Sequence, residues 1–327
     1  MPEIIGTSTG FNALNRTIGR LRAGELVAIP TETVYGLAAD ATNGEAVAKI
    51  FATKQRPSFN PLICHVDGVV MAQEYGKFDM VAERLANTFW PGPLTLVLPL
   101  NPDSGIHELV TAGLDSVGLR CPRGFSRQVI SAFGKPLAAP SANRSGRISP
   151  TTAQHVSAEF AGEDLLILDA GACEAGLEST IVKIDGNRLF LLRPGVITAE
   201  EIAEVAGKPV EFPAADGKVQ APGMLTSHYA PDARVMLDCE TCPDGAAWLG
   251  FGNRERPPNA AVGLNLSETS NLVEAAANLY AYLKQLDESG ANVICVSPVP
   301  HEDLGIAIND RLQRAAAPRP SKSGEPV

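Results

Sequence analysis

A buried strand that breaks off into a polar, rigid turn is the feature that most narrows what this chain can become. Glu25-Leu26-Val27-Ala28-Ile29 has the length and composition of such a strand. Pro30-Thr31-Glu32-Thr33-Val34-Tyr35-Gly36 then offers two threonine hydroxyls, a carboxylate, a phenol and a glycine before the chain turns apolar again. Buried strands commonly end in small polar residues, so a plain strand-end turn already accounts for the pattern. A second segment, Lys54-Gln55-Arg56-Pro57-Ser58-Phe59-Asn60-Pro61, is as polar and as rigid. We expect the two to form opposite walls of one anion-binding pocket.

The second wall has its own logic. Asn43 is a plausible N-cap for a helix over 44–54, with Ala46, Val47, Ile50 and Phe51 facing inward. That helix has to stop near Lys54, because Pro57 disfavours helical geometry at Arg56. On an extended chain alternate residues share a face. An extended 54–60 therefore aims an ammonium, a guanidinium, a hydroxyl and an amide from Lys54, Arg56, Ser58 and Asn60 at one point. Such a set suits a polyphosphate or a carboxylate; a solvated basic loop is the competing reading.

Further elements follow in the same style. A helical face runs through 11–22, and strands are expected at 61–66, 94–98, 116–121 and 163–169. Helices are expected over 79–88 and 125–133. His65 sits near the end of a mostly apolar strand, where a packed neutral histidine is the commoner occupant. Arg120, in an equally apolar strand, calls for an anionic partner from the protein or from a ligand. Trp90-Pro91-Gly92-Pro93 is a rigid turn. Pro136-Leu137-Ala138-Ala139-Pro140 again ends in small polar residues, and Ser141 and Asn143 share parity. Ser149-Pro150 reads as an N-cap with proline at the first helical position, which would leave free N–H groups for a phosphate or serve as a plain cap. Asp185-Gly186-Asn187 between two apolar runs is a hairpin signal. Thr198 and Glu201 form a capping box for a helix over 199–205. Strands alternate with helices but hairpins intrude, which predicts an α/β fold with a twisted mixed sheet.

The 327 residues suffice for two domains. We expect a catalytic domain over 1–206, a linker over 207–231, a smaller Rossmann-like α/β domain over 232–317, and a disordered tail over 318–327. The linker is not a bare spacer: Ala221 to Pro231 carries Met224, His228 and Tyr229, large side chains that suit docking or a lid. In the last domain no GxGxxG follows the first strand, so no dinucleotide is inferred. A net charge of −10 argues against a broad grip on nucleic acid. Without a membrane-length apolar run or a leader pattern, the chain reads as cytoplasmic and as having no membrane partner. Six scattered cysteines suit reduced, buried thiols, and the lone Cys239–Cys242 pair is weak as a zinc or redox motif.

Taken together, PTETVYGLAADA at 30–41, KQRPSFNPL at 54–62, WPGPLTLVL at 90–98, VGLRCP at 117–122, PSANRSGRISPT at 140–151, ESTIV at 178–182, LLRPG at 191–195 and APGMLTSHYAP at 221–231 resemble the two-domain form of the threonylcarbamoyl-AMP synthase family. LGIAINDRLQRAA at 304–316 fits more weakly. The resemblance implies a YrdC-like first domain. It also implies a reaction of L-threonine, bicarbonate and ATP to threonylcarbamoyl-AMP and pyrophosphate, the first step toward the t6A base of tRNA, with magnesium on the phosphates. By the same resemblance Lys54, Arg56, Ser141 and Asn143 form a catalytic tetrad beside the polyphosphate. Asn60, Ser116, Ser149, Arg193 and Tyr229 are further ATP contacts, together with Arg56 and Ser141. Thr33, His65, Arg120, Ala139 and Ser179 line the threonine pocket, with Arg120 on the substrate carboxylate. Ser116 stands where a threonine would be unsurprising. No general base is evident, and an anionic carbamate oxygen needs none. The transferase that consumes the product is implied as a transient partner, and direct tRNA binding stays open. Two alternatives compete: an RNA-binding protein without catalysis, and a carbamoyl-adenylate-forming maturation enzyme. The latter wants acylphosphatase and zinc-finger modules beyond those read here.

Overall fold

The computed structural model describes residues 1–213 and 219–318. The chain divides into two compact units. The first comprises Met1–Arg144, Pro150–Glu174 and Glu178–Met224; the second comprises Ser145–Ser149, Ala175–Leu177 and the chain from Leu225 on. Residues 214–218 of the expected linker, and the expected tail beyond Pro318, lie outside the described residues.

The first unit is built on an 11-stranded mixed sheet. Its strands are β1 (Glu3–Gly6), β2 (Val27–Ile29), β3 (Gly36–Asp40), β4 (Ile63–His65), β5 (Leu94–Pro99), β6 (Ser116–Arg120), β7 (Leu137–Ala138), β8 (Leu166–Asp169), β9 (Thr180–Asp185), β10 (Arg188–Arg193) and β11 (Val210–Glu211). They lie in the order β1-β8-β2-β3-β7-β4-β6-β5-β9-β10-β11. Around them pack α1 (Phe11–Arg22), α2 (Gly44–Lys54), α3 (Val69–Tyr75), α4 (Met80–Phe89), α5 (Glu108–Thr111), α6 (Phe125–Phe133), α7 (Ala153–Glu159) and α8 (Ala199–Ala206).

Local chemistry sets many of these boundaries. Asn43 caps α2 by accepting from the backbone N–H groups of Glu45 and Ala46, and Asp79 does the same for α4. Thr198 and Glu201 close a full capping box on α8. The β9–β10 hairpin forms as expected, with a register shift between Leu191 and Arg193. Two expectations fail. Ser149 does not start a helix: α7 begins at Ala153, and Thr152 is its cap, accepting from the His155 N–H. Segment 54–60 is not extended. Lys54 ends α2, Gln55 takes a left-handed φ of 52°, and the Asn60 N–H closes a turn on the Pro57 carbonyl. Helix momentum carries Lys54, and the proline acts only after one further turn-closing residue.

The middle of the sheet separates two environments by strand parity. One face carries Cys64, Leu96, Leu119 and Val182 into a large apolar core with α2, α4 and α8 residues. Ile63, Val97 and Ile181 sit in a small cluster on the other face, where Ala221 and Met224 of the linker pack against them. His65 pairs in register with Arg120, and Ile63 with Gly118, so these polar side chains belong to the thinly covered face.

The second unit holds four parallel strands, β12 (Arg234–Met236), β13 (Ala247–Gly250), β14 (Val262–Asn265) and β15 (Val293–Val296), in the order β12-β15-β13-β14. Helices α9 (Leu272–Glu288) and α10 (Leu304–Ala316) complete it. α9 starts at Leu272 because Asn271 is the cap that accepts from the Val273 and Glu274 N–H groups. All six cysteines are unpaired and buried. No described helix is long and apolar enough to cross a membrane.

Candidate active site

Three segments of the first unit meet at the ends of β2, α2 and β7. The Leu37 N–H donates to the Pro140 carbonyl at 2.7 Å, and the Ala142 N–H donates to the Tyr35 carbonyl at 2.7 Å. Gly36 bridges Ser141 across this seam. Thr33 is fully buried, and its hydroxyl meets that of Thr31 at 2.8 Å. Ala139, also buried, lies along the same seam beside Gly36.

The last residue of α2 drives into this junction. Lys54 is buried, and its ammonium donates to the Ser141 carbonyl at 2.6 Å and to the Asn143 carbonyl. Burial, then the nearby Arg56 charge, press its pKa well below the usual lysine range. Arg56 folds back on its own loop, with Nε to the Asn60 carbonyl at 3.2 Å and Nη2 to the Pro61 carbonyl at 2.8 Å. Asn60 is fully buried, and neither its amide nitrogen nor its amide oxygen has a partner among the described residues. An orphaned buried amide is costly unless a ligand or water completes it. Ser58 is exposed. Of the set read from parity, Lys54, Arg56 and Asn60 turn inward and Ser58 does not.

Arg120 closes β6 and is 4 % exposed. Its Nη2 donates to Glu32 Oε1 at 2.7 Å, and Nε reaches the Gly92 carbonyl at 3.4 Å. The anionic partner demanded by its apolar context is thus a protein group. Glu32 also accepts from the Arg123 N–H at 3.0 Å. Burial alone would raise the Glu32 pKa, but the Arg120 charge and these hydrogen bonds outweigh it and hold the carboxyl below its ordinary value. The pair fixes the guanidinium, while Nη1 makes no hydrogen bond among the described residues and stays available. His65, in register with Arg120, is held neutral: burial, then the Arg120 charge, push its pKa down to about 3.

Across β5, the Ser179 hydroxyl meets that of Thr95 at 2.8 Å. Arg193, at the end of β10, donates from Nε and Nη2 to the Ser179 carbonyl at 3.1 and 2.9 Å, and from Nη2 to the Ser179 hydroxyl at 3.2 Å. Its Nη1 reaches the Pro222 carbonyl of the linker at 3.4 Å. Gly195 makes this closure possible: a Cβ there would stand 2.4 Å from the Thr180 nitrogen and 2.7 Å from the Glu178 carbonyl. Ser116 opens the strand that Arg120 closes, so a ligand touching both must span about 13 Å along the sheet.

Ser149 and Tyr229 belong to the second unit. There the Tyr229 ring is buried, 5.5 Å from the Tyr280 ring and under the Arg311 guanidinium at 5.4 Å. Sequence reading passed over Glu32 and Thr95 as site residues. Glu32 had a signal, a carboxylate in a segment otherwise built of hydroxyls; Thr95 looked like any strand threonine.

Comparisons with known proteins identify the family. Residues 20–195 match the family model described as "Telomere recombination", and residues 197–317 match "Threonylcarbamoyl-AMP synthase, C-terminal domain". Threonylcarbamoyl-AMP synthase of Pyrococcus abyssi is 38% identical over 324 residues, covering 92% of this chain and 93% of that protein. The Bacillus subtilis protein of that name is 37% identical over 332 residues, covering 95% of each. The crystal structure of P. abyssi Sua5 complexed with L-threonine superimposes with a TM-score of 0.87 at 35% identity, covering 97% of each chain. By both of its matched regions, this chain belongs to the threonylcarbamoyl-AMP synthase family.

Proposed function

We propose that the chain condenses L-threonine, bicarbonate or carbon dioxide, and ATP into threonylcarbamoyl-AMP and pyrophosphate, to supply a tRNA-modifying transferase. The observation that carries this is the seating of Lys54 on the carbonyls of Ser141 and Asn143 beside Arg56 and the unpartnered amide of Asn60. A triphosphate is the ligand such a cluster needs. It would give the Lys54 and Arg56 cations an anionic partner and the Asn60 amide an acceptor. In this reading bicarbonate first loses water to give carbon dioxide, and the threonine ammonium releases two protons to solvent as its nitrogen bonds to that carbon, which leaves an anionic carbamate. A carbamate oxygen then attacks the α-phosphorus, and the bond to the leaving pyrophosphate breaks. The protein positions the two reactants and stabilises the charge that builds on the leaving group.

Arg120, aligned by Glu32, offers its free Nη1 to the threonine carboxylate, next to neutral His65. Thr33, Ala139 and Ser179 complete that pocket, and Arg193 and Ser116 extend the nucleotide side. A threonine-bound relative at this level of similarity favours the synthase over a non-catalytic RNA-binding role. Magnesium is assigned to the phosphates: among the described residues no three His, Cys, Asp or Glu side chains gather as a metal cage, and this ion is commonly held by phosphates and water. When bound, it supplies charge neutralisation there.

The test is pyrophosphate release from ATP in the presence of bicarbonate, with and without L-threonine. Strict threonine dependence is the expected result. Release without threonine, or no release, overturns the assignment.

A further inference from the structure

The second unit contains a cavity of about 580 Å³ that the reaction above does not use. It opens at the carboxyl ends of the adjacent parallel strands β13 and β14, with Trp248, Arg254, Arg256, Gly263, Asn265 and Glu268 among its lining residues. In open α/β sheets, that end of the strands is where ligands bind, and the volume suits a small organic molecule.

Three of its polar side chains have no protein partner among the described residues. Arg254 and Arg256 are exposed on the loop after β13, and neither guanidinium forms a hydrogen bond or ion pair among the described residues. Trp248 is only 2 % exposed, yet its indole Nε1 has no hydrogen-bond partner there. That nitrogen points toward the carboxyl end of the sheet: a Cβ on Gly250 would lie 3.0 Å from it and 3.4 Å from the Asn265 amide nitrogen. Gly263, paired with Trp248 in register, lets the Arg256 stem lie across the cavity floor. A Cβ there would collide with the Arg256 stem, 2.6 Å from its Cδ. Two fork-shaped cations on one cavity wall call for an oxyanion, and the Trp248 indole, packed into the same wall, would report its arrival. Glu255 and Glu268 balance the charge of the lining, so the rest of the ligand should donate hydrogen bonds, as sugar hydroxyls do to an acidic group at a strand end.

We propose that this cavity binds a small phosphorylated polyol, of which a nucleoside monophosphate is the simplest form: the phosphate on Arg254 and Arg256 and the hydroxyls on Glu268. The proposal does not depend on the reaction assigned to the first unit.

The chain has two tryptophans, and they start from different states. The Trp90 indole N–H already donates to the Leu94 carbonyl at 2.7 Å, whereas that of Trp248 has no partner among the described residues. Full-length protein labelled with ¹⁵N at the indole nitrogen is titrated with AMP, ribose 5-phosphate and inorganic phosphate, and Trp248→Phe assigns the signals. The expected result is a saturable shift of the Trp248 resonance with AMP and ribose 5-phosphate. In an Arg254→Ala/Arg256→Ala protein, binding read at Trp248 should weaken at least tenfold, while any response of Trp90 persists. No Trp248 shift at millimolar AMP overturns the proposal, and so does a shift undiminished in the double variant. An equal affinity for inorganic phosphate overturns the assignment to a phosphorylated polyol.

Discussion

In the first unit Lys54 is buried with its ammonium on two backbone carbonyls, and Arg120 is locked to Glu32. In the second, Arg254 and Arg256 stand exposed on a loop with no partner among the described residues. The first arrangement sacrifices solvation to hold charge in place before a ligand arrives, which is what stabilising a transient leaving group requires. The second retains solvated, rotatable cations, which suit reversible capture of an anion and provide little preorganisation. Under the two proposals, the buried, pre-aimed cations serve the chemistry and the solvated ones serve binding.

The contrast can be broken most directly at Lys54. Lys54→Ala should lower turnover by about a hundredfold or more while the circular dichroism spectrum stays native. Near-normal pyrophosphate release would remove the tetrad from the mechanism. Glu32→Ala should cost about 3 kcal/mol in urea unfolding, the usual penalty for leaving one member of a buried pair uncompensated. It should also raise the KM for threonine, because Arg120 loses its alignment. An unchanged midpoint would mean that water replaces the carboxylate.

His65 gives a pH test of the same buried environment. Its folded pKa of about 3 lies below the ordinary 6.5, so between those values the unfolded chain takes up a proton that the folded ring refuses. Stability should therefore fall as pH drops from about 6.5 toward 3, by at most about 1.4 kcal/mol per pH unit from this group. His65→Gln should flatten that part of the profile in denaturant titrations. The smallest effect is expected at the other region. Without added nucleoside monophosphate, Arg254→Ala/Arg256→Ala should keep turnover within about twofold of the parent, since surface charges remote from a buried partner contribute little. A large loss would end the distinction between the two kinds of cation.

Much of this was legible residue by residue. Asn43 as cap, Thr198 with Glu201 as capping box, and the hairpin at Asp185-Gly186-Asn187 all act within one turn of chain, and all three form. Misreadings arose where two local rules competed. Pro57 was expected to straighten the chain from Lys54 on, but α2 runs through Lys54 and a left-handed Gln55 makes the break. Ser149-Pro150 has the letters of a helix start, yet Thr152 captures the cap. The short strand β3 follows the polar turn too closely to show a pattern of its own; its pairing with β2 and β7 defines it.

By itself, the order of residues determined the kinds of element, the family and the inventory of charged and hydroxyl groups, because periodicity, caps and motifs are properties of neighbours along the chain. Only the tertiary structure decided that Arg120 answers to Glu32, that Lys54 rests on carbonyls from the β7 loop, and that Trp248, Arg254 and Arg256 line one cavity. Those partners are far apart in sequence. What brings them within hydrogen-bond reach is sheet order and burial, and no local propensity encodes either.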